Sequence, residues 1–115
     1  MIDFGTGGFR GIIGDTFTKE NIQLIAQALA NIIKKEKSDK KVVVGYDYRF
    51  LSDVAAIWVA EVLAGNGVHV LLSKEATPTP AVMCMTKLLG NDYGAMITAS
   101  HNPYLFNGLC VWQNF

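Results

Sequence analysis

The sequence predicts an α/β fold, a three-layer sandwich in which helices flank a mostly parallel sheet. Half of its 115 residues are hydrophobic and only 17% are charged, as expected for a chain that buries both faces of a sheet. Apolar runs alternate with helical patterns over residues 18–97, which is the order of successive β-α-β units. Residues 1–115 are long enough for one domain and too short for two.

The first segment, Phe4–Gly11, contains four glycines within seven positions, a composition that disfavours both strand and helix. It lacks the last glycine of a dinucleotide-binding GxGxxG motif and the Gly-Lys-Ser/Thr of a P-loop. A flexible loop remains, with one hydroxyl, Thr6, and one guanidinium, Arg10, a pair that suits an anionic group. The alternative is a glycine-rich entry segment with a surface arginine.

Helical spacing and a strand pattern follow. Thr18 as the N-cap predicts an amphipathic helix that ends near Lys35. The continuous β-branched run Lys41–Tyr46 predicts a central parallel strand, and Ser52 as an N-cap predicts a second helix to Leu63. The apolar stripe of the first helix consists of Ile22, Ile25, Ala26, Leu29, Ile32 and Ile33.

The second half of the chain repeats this order. Val68–Leu72 predicts the next strand. Thr79 as the N-cap, with Pro80 at the first helical position, predicts a helix that ends near Gly90. The short apolar run Tyr93–Ile97 then predicts a buried strand.

Polar groups follow each of these three predicted strands: Asp47 and Arg49, then Thr77–Pro80, then Ser100–Asn102. Because the carboxyl ends of parallel strands meet at one edge of a sheet, we expect these groups to cluster there, where α/β proteins bind ligands. The alternative is that Ser100 and Asn102 only hydrogen-bond their own backbone and so close the Asn-Pro turn.

Four segments, in this order, resemble the α-D-phosphohexomutase superfamily, which comprises the phosphoglucomutases and phosphomannomutases. They are Phe4–Gly11, Gly45–Arg49, Thr77–Pro80 and Thr98–Pro103, and they cover nearly the whole chain. The resemblance implies the phosphoserine-bearing first domain of an isomerase of carbohydrate metabolism. Such an enzyme interconverts hexose 1-phosphate and hexose 6-phosphate through a bisphosphate intermediate.

The resemblance also implies roles for individual residues. Ser100 would be the phosphoserine, Arg10 would face its phosphate, and His101 and Asn102 would shape the loop around it. Thr6, Arg49 and Asn102 are the candidates for binding substrate or phosphate. A Mg²⁺ ion would bind the phosphate on Ser100, with its other ligands in a later domain, and a glucose 1,6-bisphosphate-type compound would act as the activator.

The sequence departs from the family at two positions: Cys110 replaces the lysine thought to act as general acid or base, and Leu105 replaces an acidic residue. We expect the Cys110 thiol to face the phosphoserine, to stay protonated beside its charge and to be a poor base. Because the family has four domains, we also expect a C-terminally truncated first domain that is inactive alone.

Two other hypotheses stay open. The missing lysine is compatible with a non-catalytic module that binds phosphosugars or other anions. The apolar tail from Leu105 to Trp112, and a helix over Val54–Leu63 that is apolar around much of its circumference, favour a self-associating domain fragment.

Composition excludes several other classes. A formal net charge of zero provides no electrostatic surface for nucleic acid or an anionic membrane. Cys84 and Cys110 lack CxxC spacing, so neither a zinc site nor a redox motif is indicated. Free thiols and an amino terminus without a signal sequence predict a cytoplasmic protein, and no apolar run is long enough to span a bilayer.

Overall fold

The computed structural model describes residues 4–5, 8–35, 41–88, 93–99 and 102–113. Thr6, Ser100 and His101 lie outside the described residues, so the roles predicted for them stay predictions. No helix within the described ranges is both long and apolar enough to cross a membrane. The elements are β1 (Phe4–Gly5), β2 (Gly8–Ile12), α1 (Lys19–Lys35), β3 (Lys41–Tyr46), α2 (Ser52–Gly65), β4 (His69–Leu72), α3 (Thr79–Leu88), β5 (Tyr93–Ile97) and β6 (Phe106–Gln113).

The strands form one sheet in the order β1-β2-β6-β5-β3-β4. β3 pairs in parallel with β4 and β5, as predicted for a central strand. β6 is antiparallel to both β5 and β2, and β2 is antiparallel to β1. The α/β class is therefore confirmed, but the mostly parallel sheet is corrected to a mixed one. The physical reason is that the chain returns from β5 to β6 without a crossover helix, and strands joined in this way pair antiparallel.

Residues 8–12 form a strand rather than the predicted flexible loop. Phe9 is buried and Arg10 is exposed, which is the alternation of a strand with one covered face. The glycines of this strand let neighbouring side chains and backbone approach closely, rather than making the segment a flexible loop. An added Cβ at Gly11 would overlap the side chain of Thr16, and one at Gly8, where φ is +117°, would lie 2.9 Å from the Cα of Cys110.

Helices cover both faces of the sheet, which confirms the three-layer sandwich. α1 and α2 pack on one face over a core that includes Ile22, Val44 and Val59. On the other face, Val82 of α3 packs with Met96 of β5. The stripe predicted for α1 is buried except Ile32, which is half exposed. α2 is apolar on several sides: Ala55, Ala56, Val59 and Leu63 are fully buried, whereas Val54 and Ile57 stay exposed.

Only one of the three predicted N-caps is confirmed. The Thr18 hydroxyl accepts a hydrogen bond from the Asn21 N–H at 3.3 Å. α2 is capped by Leu51, which has φ +68° and makes no side-chain capping bond, so Ser52 is the first helical residue. In α3 the carbonyl of Pro78 accepts the first helical hydrogen bond, which places the N-cap one residue before Thr79.

Candidate functional site

The loops that follow β3, β4 and β5 meet at one edge of the sheet, as predicted. The Asp47 N–H donates to the carbonyl of Ile97 at 3.1 Å, which joins the ends of β3 and β5. The Thr77 N–H donates to the carbonyl of Tyr46 at 2.9 Å, which joins the loop after β4 to the same place. The parallel part of the sheet therefore brings together polar groups that are some fifty residues apart in sequence, from Asp47 to Thr98.

The Asp47 carboxylate connects three of the segments at this edge. Its Oδ1 accepts hydrogen bonds from the Ser52 hydroxyl at 2.7 Å and the Arg49 N–H at 3.0 Å. Its Oδ2 accepts from the Thr98 hydroxyl at 2.6 Å. Because Leu51 turns the chain through a left-handed conformation, Ser52 enters α2 close enough to make this contact. Asp47 thus fixes the loop after β3 against both α2 and the end of β5.

Arg49 directs its guanidinium to the chain that follows Ser100 and His101 in sequence. Nη2 donates to the carbonyl of Asn102 at 2.6 Å, and Nη1 donates to the carbonyls of Pro103 at 2.9 Å and Phe106 at 3.1 Å. Nε lies 3.6 Å from Asp47 Oδ2, and only 15% of the Arg49 side chain is exposed. The structure therefore places this candidate for phosphate binding against backbone carbonyls.

Arg10 reaches the same loop from the other half of the sheet. It lies on β2 opposite Gly108 of β6, and its Nη1 donates to Asn102 Oδ1 at 3.2 Å. This exposed bond joins two predicted site residues that are 92 positions apart in sequence. Asn102 is fixed further by its own N–H, which donates to the carbonyl of Ala99 at 3.0 Å. The structure therefore brings Arg10, Arg49 and Asn102 together.

Sequence analysis missed Asn107, Ser52 and Thr98 as members of this network. The buried Asn107 amide donates to the Ser52 hydroxyl at 2.8 Å and to the carbonyl of Phe50 at 3.1 Å. Its Oδ1 accepts from the Gly108 N–H at 2.9 Å. A signal was available, because Asn107 is a polar residue within an apolar run, and such residues are buried only when they are hydrogen-bonded.

Cys110 lies on β6 and is only partly exposed. It packs against the cluster of Val43, Val82 and Met96 on the α3 face of the sheet. Burial raises the pKa of the Cys110 thiol, and the nearby positive charge of Arg10 lowers it in part. We expected the negative charge of the phosphoserine to keep this thiol protonated. Burial of the side chain also favours the protonated thiol.

The residues that the structure describes do not fit a magnesium site. Within them, no group of three histidine, cysteine, aspartate or glutamate side chains comes together. The Asp47 carboxylate, the acidic group closest to the loop, already accepts from Ser52, Thr98 and the Arg49 backbone. Any magnesium chemistry would therefore need ligands beyond those described.

An open cavity of about 600 Å³ lies beside this network. Asp47, Arg49 and Asn102 are among the residues that line it, together with the exposed Tyr48 and Tyr104. A cavity of this size accommodates a small organic ligand. The edge of the sheet therefore offers charged groups, aromatic rings and space in one place.

Fold and site together define an α/β/α domain with a cationic, backbone-rich loop edge suited to an anion. The chain belongs to the family described as phosphoglucomutase/phosphomannomutase, alpha/beta/alpha domain I, whose sequence profile matches residues 1–115.

Curated relatives carry names consistent with this family. The chain is 40% identical over 111 residues to a phosphoglucosamine mutase of Thermotoga neapolitana, a match that covers 96% of this chain and 24% of that protein. It is 35% identical over 112 residues to a phosphoglucomutase of Staphylococcus haemolyticus, covering 95% of this chain and 20% of the relative. The chain thus spans about a quarter of the length of the curated relatives it matches.

Solved structures agree with the fold. A Thermus thermophilus structure assigned to the phosphomannomutases superposes with a TM-score of 0.94 at 39% identity, covering 97% of this chain and 25% of that one. A phosphoglucomutase/phosphomannomutase family protein from Burkholderia thailandensis has a TM-score of 0.82 at 28% identity, covering 96% of this chain and 26% of the other. Both likenesses agree with the match of the domain I profile.

Proposed function

We propose that this chain is the phosphoserine domain of a hexose-phosphate mutase, with Ser100 as the residue that carries the phosphoryl group. The observation that supports the proposal best is the hydrogen bond from Arg10 to Asn102, which joins the two segments of strongest family resemblance. Asn102 follows Ser100 by two positions, so Arg10, which is hydrogen-bonded to Asn102, lies near the segment that would carry the phosphate.

Phosphoryl transfer requires positioning and positive charge more than covalent chemistry. A phosphoserine carries about −1.5 to −2 charges at neutral pH, and a guanidinium is the side chain whose planar donors match phosphate oxygens. In this proposal Arg10 binds the phosphate of Ser100, Thr6 and Asn102 contribute to binding phosphate or substrate, and His101 and Asn102 shape the loop. Ser100 gives its phosphoryl group to a hydroxyl of a hexose phosphate and regains one from the resulting bisphosphate.

The proposal includes two properties of the chain on its own. We infer that it accepts a phosphoryl group but does not sustain mutase turnover, because it spans only a quarter of its relatives' length. Cys110 stands at the family's lysine position and offers neither positive charge nor an available base, since burial favours its neutral thiol.

Mg²⁺ remains a proposed partner of the Ser100 phosphate, and self-association remains a prediction that light scattering can test.

The test is to incubate the chain with Mg²⁺ and glucose 1,6-bisphosphate and to locate added phosphate by peptide mass spectrometry. In loading, the bond from phosphorus to a sugar oxygen breaks, a bond from phosphorus to Ser100 Oγ forms, and the serine proton passes to the sugar oxygen. We expect one phosphoryl group on Ser100 and no sustained formation of glucose 6-phosphate from glucose 1-phosphate in a coupled assay.

Matched variants make this test specific. Ser100→Ala removes the proposed acceptor, and Ser73→Ala removes a partly exposed hydroxyl in the loop after β4 as the control. Phosphate that persists in Ser100→Ala, or that never attaches to Ser100 in the unaltered chain, would contradict the proposed role. Sustained turnover by the chain alone would contradict the proposed incompleteness.

A further inference from the structure

We propose that Arg49 is a positioning residue that holds the backbone after Ser100, rather than a ligand of the substrate's phosphate. This inference deepens the proposed function and rests on it for its catalytic consequence. The structural part stands alone, because it depends only on contacts among described residues.

Arg49 is matched to a set of backbone acceptors. Two terminal nitrogens of Arg49 donate to three backbone carbonyls, those of Asn102, Pro103 and Phe106, at 2.6–3.1 Å. The carbonyls of Asn102 and Pro103 belong to the connection between β5 and β6, outside the strand ladder, and that of Phe106 belongs to the first residue of β6. The planar guanidinium fork suits several acceptors in fixed directions, which a lysine ammonium matches less well.

Arg49 is itself held in place by Asp47. Its backbone N–H donates to Asp47 Oδ1 at 3.0 Å, and its Nε lies 3.6 Å from Asp47 Oδ2. The side chain is 15% exposed and the Asp47 side chain 24%, so solvent screens this ion pair only in part. Asp47 is fixed in turn by Ser52 and Thr98, so Arg49 extends from an anchored carboxylate.

Arg49 and its three carbonyl acceptors form a clamp, and this clamp positions Asn102. By fixing the carbonyl of Asn102, Arg49 sets where the Asn102 side chain lies, and that side chain accepts the hydrogen bond from Arg10. Two backbone hydrogen bonds lie in the same stretch: Asn102 N–H to the carbonyl of Ala99 at 3.0 Å and Phe106 N–H to the carbonyl of Pro103 at 2.9 Å. A loop held in this way offers a nucleophile or phosphate carrier in one orientation, which is the main requirement of phosphoryl transfer.

The experiment measures amide hydrogen exchange by NMR in the ligand-free chain and in Arg49→Gln and Arg49→Lys variants. We expect the Asn102 and Phe106 amides to exchange at least about tenfold faster in Arg49→Gln, because hydrogen bonds from charged donors are worth roughly that factor. The Val44 amide in β3, a fully buried residue between two paired strands, serves as the internal reference for global stability. Lys35→Gln, which removes an exposed cation at the end of α1, is the control.

Arg49→Lys separates geometry from charge. A clamp predicts fast loop exchange in this variant too, because an ammonium does not reproduce the fork. If Arg49→Gln destabilises the whole chain, the comparison stays decisive, because loop exchange in each variant is judged relative to the Val44 amide. Loop amides that stay protected in both variants would overturn the proposal.

The second measurement is the dependence of Ser100 loading on the concentration of glucose 1,6-bisphosphate. A positioning role predicts a lower maximal rate in Arg49→Gln, with the half-saturating concentration changed less than about twofold, since binding and positioning separate in this way. A rise in that concentration without loss of maximal rate would show a phosphate ligand and overturn the inference. If the unaltered chain never loads Ser100, the proposed function fails, whereas the exchange result still decides the clamp.

Discussion

Arg10 and Arg49 reach the same residue, Asn102, in different ways. Arg10 extends from β2, is exposed, and makes one side-chain hydrogen bond, to Asn102 Oδ1, within the part of the chain that the structure describes. Arg49 is largely buried and binds three backbone carbonyls, including that of Asn102. From this difference we infer, within the proposed function, a division of labour in which the exposed guanidinium of Arg10 binds the phosphate of Ser100 and the buried guanidinium of Arg49 holds the loop.

The largest effect should follow from removing the anchor of the Arg49 region. Asp47→Ala deprives Ser52, Thr98 and Arg49 of a charged acceptor, which should lower the free energy of unfolding by about 3 kcal/mol. Urea unfolding measures this change. Asp15→Ala, an exposed aspartate in the turn before α1, should change stability by less than about 0.5 kcal/mol. Equal effects of the two substitutions would contradict the account of Asp47.

A somewhat smaller effect is expected in the Arg10 region. An added Cβ at Gly108 would overlap the carbonyl of Phe9 and would lie 2.9 Å from Arg10 Cγ and 3.0 Å from the carbonyl of Thr98. Gly108→Ala should therefore cost about 1–3 kcal/mol and displace Arg10, since backbone does not yield cheaply. Gly65→Ala, where a Cβ meets nothing within 4 Å, is the control and should be neutral or slightly stabilising. A neutral Gly108→Ala would show that the two strands can separate at little cost.

The smallest effect concerns Cys110, beside Arg10. Burial raises the pKa of its thiol above the ordinary value of 9.0, so the folded chain keeps a proton that the unfolded chain loses. The resulting stability is present below pH 9 and is lost as pH rises through the raised pKa of the folded state. Unfolding followed from about pH 7 to about pH 10 should show a steeper loss in the unaltered chain than in Cys110→Ala. The exposed Cys84 provides the control, and a Cys84→Ala variant with the same shallower slope would contradict this assignment.

Much of the fold could be predicted because its signals are local. The run Lys41–Tyr46 identified the central strand, and the spacing of apolar residues identified α1 to within a residue or two at each end. β2 was missed because its glycines resemble a loop in sequence, whereas in space they admit Thr16 and the backbone of β6. β6 was taken for an apolar tail because its burial depends on β2 and β5, two partners far apart in the chain.

The sequence predicts which residues meet at this edge of the sheet better than it predicts the contacts between them. Arg10, Arg49 and Asn102 were identified from their motifs. The parallel pairing of β3 and β5 explains why Arg49 and Asn102 come together, whereas Arg10 reaches Asn102 from β2, which pairs antiparallel with β6. The hydrogen bonds from Arg49 to backbone carbonyls could not be predicted. These acceptors lie 53 to 57 positions away, and backbone atoms have no sequence signature. Leu51 as the N-cap was equally hidden, since no residue type at that position suggests a left-handed turn.

The division of labour between the two arginines is tested most directly by NMR of their side-chain Nε–H groups during titration with inorganic phosphate. Because Arg10 is exposed beside the loop and Arg49 is occupied by carbonyls, we expect the Arg10 resonance to shift saturably and the Arg49 resonance to stay in place. Chloride at the same ionic strength controls for screening of exposed charges. An Arg49 resonance that shifts with phosphate as far as that of Arg10, or further, would contradict the account.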